Sequence, residues 1–387
     1  MGNWASRFRH WSWFASADQA DTNALHEDGE QDDGYFSAES EDSGAANLTT
    51  TLDGSDKSDD WTIGEQPSRA SSRAAHASSN VDPIRHRALL VGINYANSSN
   101  RLRGCINDAT QLTEFVCSHL INGSCADQRG RCKVRVLCDV PNECTFSTQF
   151  NDLLALHKSW LNVDVMRSAK PTRHEMERQL RWLAEGADAR SHLWFSYSGH
   201  GHWVRDRDGD ESDGRDEVLV PLDFKSDGFV SDDWLRANVV DPLPAGAQLT
   251  CLIDACHSGT SFDLRVALSD RSRRRQANDT SKRYKRDEWI ARRKRKENAR
   301  VAASAADVLM ISGCRDNQTS ADAWEAGAFT GALTHSFLLH AARCNTAYEL
   351  LQDMSVWLRL KSYEQRPVMS FGNESAEQTN AKRLQLF

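Results

Sequence analysis

Apolar residues are unevenly spread along the 387-residue chain. Residues 15–80 are rich in Ser, Asp, Glu, Ala and Gly, with few aliphatics. Such a stretch cannot bury enough apolar surface to offset chain entropy, so it predicts a disordered acidic leader over 1–82. Beyond it the pattern changes. Arg87 to Ile93 (RALLVGI) is a continuous apolar run that Asn94-Tyr95-Ala96-Asn97 ends, which predicts a strand buried on both faces and then a turn. Asp108 to Cys117 reads as a helix with Leu112 and Phe115 on its apolar side, and Lys133 to Leu137 alternates as a strand. Thr172-Arg173-His174-Glu175 has the form of a capping box, followed by Met176, Leu180 and Leu183 at helical spacing until Gly186 stops the helix. His192 to Ser198 and Leu249 to Ile253 read as a third and a fourth strand. Asp307 to Ser312, a helix over Gly331 to Ala342, a second helix capped from Thr346 in the same way, and Pro367 to Phe371 complete the series. Strands alternating with capped helices predict an α/β fold with a mostly parallel central sheet and helices on both faces.

Charge divides the chain further. The formal net charge of −8 is the sum of −10 over residues 1–80, +10 over 265–300 and −8 over the rest. An acidic body argues against a nucleic-acid binder with a basic face, and no nucleic acid is expected as its partner. No apolar run approaches the ~20 residues of a membrane helix, and the first residues lack the apolar core of a secretory signal. These features point to a cytoplasmic chain. Arg273-Arg274-Arg275 and Arg292-Arg293-Lys294-Arg295-Lys296 add a nuclear fraction as an alternative. Met1-Gly2-Asn3-Trp4-Ala5-Ser6 fits the pattern for N-myristoylation, with an amphipathic packing segment as the plainer reading; one acyl chain gives only weak membrane contact. None of the ten cysteines stands in C-x-x-C spacing, so a zinc site is not expected and most thiols read as buried and reduced.

In open α/β sheets reactive groups gather beyond the carboxyl ends of the strands. The third strand runs into Tyr197-Ser198-Gly199-His200-Gly201-His202 and the fourth into Asp254-Ala255-Cys256-His257-Ser258-Gly259. A Cys and a His, each delivered by a glycine-flanked loop, suit a thiolate nucleophile with an acid/base partner. His200 is preferred over His202 and His257 because glycines on both sides permit close approach of a substrate backbone. Residues 206–217 imitate a calcium loop at positions 1, 3, 5 and 12. Position 6 is Glu211 rather than Gly, and no amphipathic helix flanks the run, so an EF-hand is rejected.

Together these blocks resemble the metacaspases, caspase-like cysteine peptidases. Leu102-Arg103-Gly104-Cys105-Ile106-Asn107-Asp108-Ala109, Pro171-Thr172-Arg173, Ile311-Ser312-Gly313-Cys314 and Gln318-Thr319-Ser320-Ala321-Asp322 extend the likeness, in the expected order, over Arg87 to about Ser370. The arrangement is similar to type I members, without the zinc finger or Pro/Gln-rich prodomain that many of them carry. The resemblance implies a caspase-like sandwich over 83–371, with a large-subunit-like part 83–264, a cleavable basic linker 265–305, a small-subunit-like part 306–371 and a tail 372–387. It implies His200 and Cys256 as a catalytic dyad, with backbone N–H groups near Gly201 and Cys256 as oxyanion donors. It also implies an acidic substrate pocket of Asp108 and Asp254 walled by Cys105 and Ser198. From the residues alone, Asp108 reads equally well as a helix N-cap. A carboxylate pair favours Arg or Lys before the cut bond and opposes caspase-like cutting after Asp. Ca²⁺ is the implied cofactor, at Asp216, Asp232, Asp233 and Asp263, against the plainer reading of a solvated acidic surface. The resemblance further implies protein or peptide substrates, a monomer, and a role in stress response, cell death or protein quality control. An enzyme with such a pocket can take its own basic linker as a substrate, so calcium-triggered self-cleavage between Arg265 and Arg300 is expected. The competing reading is a catalytically weak caspase-like scaffold or quality-control binding protein.

Overall fold

The computed structural model describes residues 84–122, 131–205, 215–256, 262, 264, 266–269, 303–313, 322–325, 328–363 and 365–373. Contacts divide the chain between Asn80 and Val81, and all described residues belong to the second unit. The expected acidic leader, the myristoylation pattern, the 206–213 acidic run and most of the basic span lie outside them.

In chain order the strands are β1 Ile84–Gly92, β2 Arg131–Cys138, β3 Leu161–Val165, β4 His192–Ser198, β5 Gly201–Arg205, β6 Arg215–Leu219, β7 Val230–Ser231, β8 Gln248–Asp254, β9 Val266–Ser269, β10 Asp307–Ser312, β11 Asp322–Glu325, β12 Ala328–Gly331 and β13 Val368–Phe371. The helices are α1 Cys105–Asn122, α2 Thr148–His157, α3 Arg173–Ala184, the single turns α4 Phe224–Asp227 and α5 Asp232–Leu235, then α6 Ala332–His340 and α7 Ala347–Leu360, with a π-helical turn at Arg236–Val240. Eight strands form one sheet in the order β3-β2-β1-β4-β8-β10-β13-β9. The first six run parallel, while β13 and β9 are antiparallel to their neighbours. This is the mostly parallel α/β architecture that the pattern predicts, and it agrees with the caspase-like sandwich that the resemblance implies.

The continuous apolar runs are explained by burial from both sides, since almost every residue of β4, β8 and β10 is buried. On one face Leu89, Val91, Phe195, Tyr197, Cys251 and Ile253 pack with Met176, Leu180 and Leu183 of α3. On the other, Trp194 meets Phe115 of α1 and Phe337 of α6, with ring centroids 5.3 to 6.4 Å apart. Arg87 donates to the carbonyls of Trp182, Leu183 and Glu185, closing the C-terminal end of α3 before Gly186 turns away at φ +64°.

Local signals were met unevenly. At Thr346 both halves of the capping box form, whereas at Thr172 only one does: Thr172 accepts from the Glu175 N–H, and the Glu175 carboxylate binds Arg178 and Gln179 instead. The helix expected from Asp108 begins at Cys105. Strands β3 and β5 are short and partly exposed, and β6 has only Val218 and Leu219 as buried apolar residues, so none leaves a long apolar run in the sequence. Val266–Ser269, within the span expected to be linker, pairs with β13 as the edge strand of the sheet.

Candidate active site

The order of the sheet places the site. The chain steps from β1 outward to β2 and β3, then returns to the other side of β1 to form β4 and β8. Loops therefore part at the carboxyl ends of β1 and β4, where an open α/β sheet leaves a crevice. There Gly92, Ser198 and Asp254 lie level in register. His200 and Cys256 each follow a registered residue by two positions, on strands about 4.8 Å apart. The two loops touch: a Cβ on Gly201 would lie 1.9 Å from the Cys256 carbonyl oxygen. The glycine beside His200 thus serves contact between the His200 and Cys256 loops, whereas the sequence suggested room for a substrate backbone.

The imidazole is held on several sides. Nε2 donates to the Asn100 carbonyl oxygen at 2.7 Å, since a carbonyl can only accept, and this fixes a proton on Nε2. The Tyr95 ring lies 4.6 Å from the imidazole, centroid to centroid. The Tyr197 hydroxyl donates to the His200 carbonyl at 2.7 Å. Burial pushes the Tyr197 hydroxyl above its usual range, with the Cys105 and Cys256 thiols adding to the effect. Of the rival histidines, His202 packs on β5 between Trp203 and Phe229, and His257 lies outside the described residues.

The acidic pair forms one buried unit. Asp108 does not cap its own helix: it accepts from Ser198 Oγ at 2.6 Å, Thr330 Oγ1 at 2.5 Å and the Gly331 N–H at 2.9 Å. Asp254 accepts from the Thr334 N–H and hydroxyl, both at 2.9 Å, and from Gln365 at 3.5 Å. A Cβ on Gly331 would lie 2.1 Å from one Asp254 oxygen and 2.9 Å from an Asp108 oxygen, so both carboxylates close on this one residue. Burial, and then the Asp254 charge, raise the Asp108 carboxyl to about 7, against the donors that favour its ionised form. Cys105 is buried beside this pair at the start of α1, its N–H donating to the Asn94 side chain. Thr330, Gly331, Thr334 and Gln365 carry no sequence signal of their own, and neither do Tyr95 and Asn100.

Of the four expected calcium ligands, Asp216 lies on β6, Asp232 and Asp233 open α5, and Asp263 lies outside the described residues. Asp232 accepts from the Glu217 and Asp233 N–H groups. Burial first, then Asp233 and Asp216, raise it to about 8. The carboxylate donors suit a hard cation in kind. Among the described residues no three His, Cys, Asp or Glu are arranged to hold a metal. The 206–217 run is flanked by strands β5 and β6 rather than helices, in keeping with the rejection of an EF-hand.

A family model described as "Caspase domain" matches residues 85–376. Metacaspase-1 of Debaryomyces hansenii is 34% identical over 312 residues, which cover 73% of this chain and 64% of that protein. Metacaspase-1 of Scheffersomyces stipitis is 35% identical over 314 residues, with 74% and 70% covered, and that of Cryptococcus neoformans is 33% identical, with 73% and 62% covered. The match thus spans about two thirds of the length of these relatives. With its strand order, its paired His and Cys loops and these matches, the chain belongs to the caspase-domain family of cysteine peptidases, on its metacaspase branch.

Proposed function

We propose that the protein is a cysteine endopeptidase that cuts after Arg or Lys, with Cys256 as nucleophile and His200 as acid and base. What supports the specificity is the Asp108–Asp254 pair, buried level with the strand ends that carry the dyad. Two carboxylates in a slot of low dielectric attract a guanidinium or ammonium and repel an acidic side chain. The Cys256 thiolate attacks the scissile carbonyl, and backbone N–H groups near Gly201 and Cys256 receive the developing oxyanion. His200 gives its Nδ1 proton to the leaving amine as the C–N bond breaks. It then takes a proton from the water that hydrolyses the acyl-enzyme and returns the thiol.

Calcium dependence and self-cleavage are part of the reading. Asp216, Asp232, Asp233 and Asp263 would hold Ca²⁺, which when bound supplies charge neutralisation between β6 and α5. The basic span offers Lys and Arg bonds to the acidic pocket of its own chain.

A fluorogenic peptide panel ending in Arg, Lys or Asp, with and without Ca²⁺, tests the whole reading. Turnover of Arg and Lys peptides only, requiring Ca²⁺ and lost in Cys256→Ala along with fragment formation, is the expected result. Turnover of the Asp peptide, or activity that survives Cys256→Ala, would overturn it; a protein that turns over none of them supports the scaffold.

A further inference from the structure

The loop after β1 holds His200 by its side chain and by its backbone. The Asn100 carbonyl accepts from Nε2–H, and five residues earlier the Tyr95 hydroxyl accepts from the backbone N–H. The Tyr95 hydroxyl gives its one proton to the Val220 carbonyl at 2.6 Å and accepts the His200 N–H at 3.1 Å. It also lies 3.1 Å from the Tyr197 hydroxyl. Packing alone does not account for this phenol. A phenylalanine would fill the same buried space without a polar group to desolvate, so the hydroxyl needs a use, and its partners give one.

The backbone of Tyr95 supports the same conclusion. It sits at φ +50°, a left-handed conformation that a bulky residue rarely adopts and that persists only where surroundings impose it. Asp139, just beyond β2, imposes it. One carboxylate oxygen accepts the Asn94 N–H at 2.9 Å and the other the Ala96 N–H at 3.1 Å, so the residues on both sides of Tyr95 are fixed by one side chain. Asn94 is tied again through its carbonyl to the Leu102 N–H and through its side chain to the Cys105 N–H.

We propose that Tyr95, clamped in its left-handed conformation by Asp139, is a positioning residue that sets the aim of the His200 imidazole toward Cys256. It packs against the imidazole and exchanges no proton with it. Its hydroxyl fixes the backbone from which the imidazole hangs, and its ring limits the tilt. The inference rests on the assignment of His200 as acid and base. Small errors of aim cost rate steeply, because proton transfer requires a near-linear approach.

The test uses the full chain carrying Tyr95→Phe, Tyr95→Leu, Asp139→Asn or His200→Ala. Two readouts are taken: kcat and KM on an Arg-ended peptide, and the rate at which iodoacetamide alkylates Cys256 at pH 7. Alkylation reports the thiolate that a well-aimed imidazolium sustains and needs no substrate specificity. Tyr95→Phe keeps the ring and removes only the hydroxyl. It is expected to lower kcat about tenfold with KM within about twofold, and to slow alkylation in proportion. Asp139→Asn should act in the same direction, and Tyr95→Leu more strongly. A Tyr95→Phe protein with wild-type kcat and alkylation, beside an inactive His200→Ala, overturns the inference and leaves the dyad standing. Loss in kcat and KM together, recovered on cooling, also overturns it, since that is the mark of a merely structural role. Wild-type behaviour of His200→Ala removes the dyad and the inference with it.

Discussion

Asp108 is the residue at which stability and the proposed recognition of Arg or Lys oppose each other. Its folded-state carboxyl titrates near 7, above the ordinary carboxylate range, because it is buried and faces Asp254. Ionising it therefore costs the fold: the cost is absent below about pH 4 and complete above about pH 7, so this group lowers stability as pH rises through that window. A guanidinium in the pocket reverses the preference by stabilising the ionised pair. KM for an Arg-ended peptide should fall as pH rises from about 6 to about 8, and calorimetry in buffers of different ionisation heat should detect proton release on binding near pH 6.5. A flat KM across that range would detach Asp108 from substrate binding. Gly331→Ala tests the same site sterically, since its Cβ would enter the space of both carboxylates. KM should rise about 100-fold, while Cys256 alkylation stays near wild type. His200 and Cys256 stood out because each follows the carboxyl end of a buried strand, whereas Asp108 and Asp254 entered as a pair only through the family resemblance. Tyr95 and Asn100 did not stand out. A backbone carbonyl has no residue signature, and a left-handed tyrosine is written with the same letter as any other.

At the scale of elements, the pocket belongs to both halves of the chain. Asp108 comes from α1 and Asp254 from β8; Ser198 of β4 donates to Asp108, and the other donors, Thr330 and Gly331 of β12, Thr334 in the first turn of α6 and Gln365, come from the second half. The N–H groups that a helix leaves unpaired at its start are here used to hold a carboxylate. Thr334→Val keeps its N–H and removes its hydroxyl. It should lower unfolding free energy by about 1.5–3 kcal/mol in urea titration, the usual range for a hydrogen bond to a charged group, and raise KM more than it lowers kcat. An unchanged midpoint would show that the hydroxyl contributes nothing. The sequence indicated a helix over Gly331 to Ala342 and missed this role, because β12 consists of only four residues, one of them a glycine. Strands β1, β4, β8 and β10 were legible for the opposite reason: burial on both faces leaves uninterrupted apolar letters.

For the whole molecule, the division into a cleavable span and two halves has one structural qualification. The span expected to start at 265 begins with β9, which is hydrogen-bonded to β13 of the second half. A bond inside a paired strand is a poor protease substrate, because the backbone must first leave the sheet. Self-cleavage is therefore expected after Ser269, with Arg271 as the earliest site. Mass spectrometry of the fragments should find no new C-terminus at Arg265, and the fragments should separate only in denaturant. A terminus at Arg265 would contradict this. The strand escaped notice because Val266 to Ser269 is four residues bordered by charge, too short for a period to show. Its position has another result. By lying along the outer side of β13, β9 takes up that strand's outward hydrogen-bonding groups and becomes the edge of the sheet itself. A four-residue strand bordered by Arg265 and Asp270 makes a short, charge-flanked edge, which works against a second copy adding to it. If each chain works alone, turnover per molecule should stay constant on serial dilution; a fall on dilution would show that the active form is an assembly.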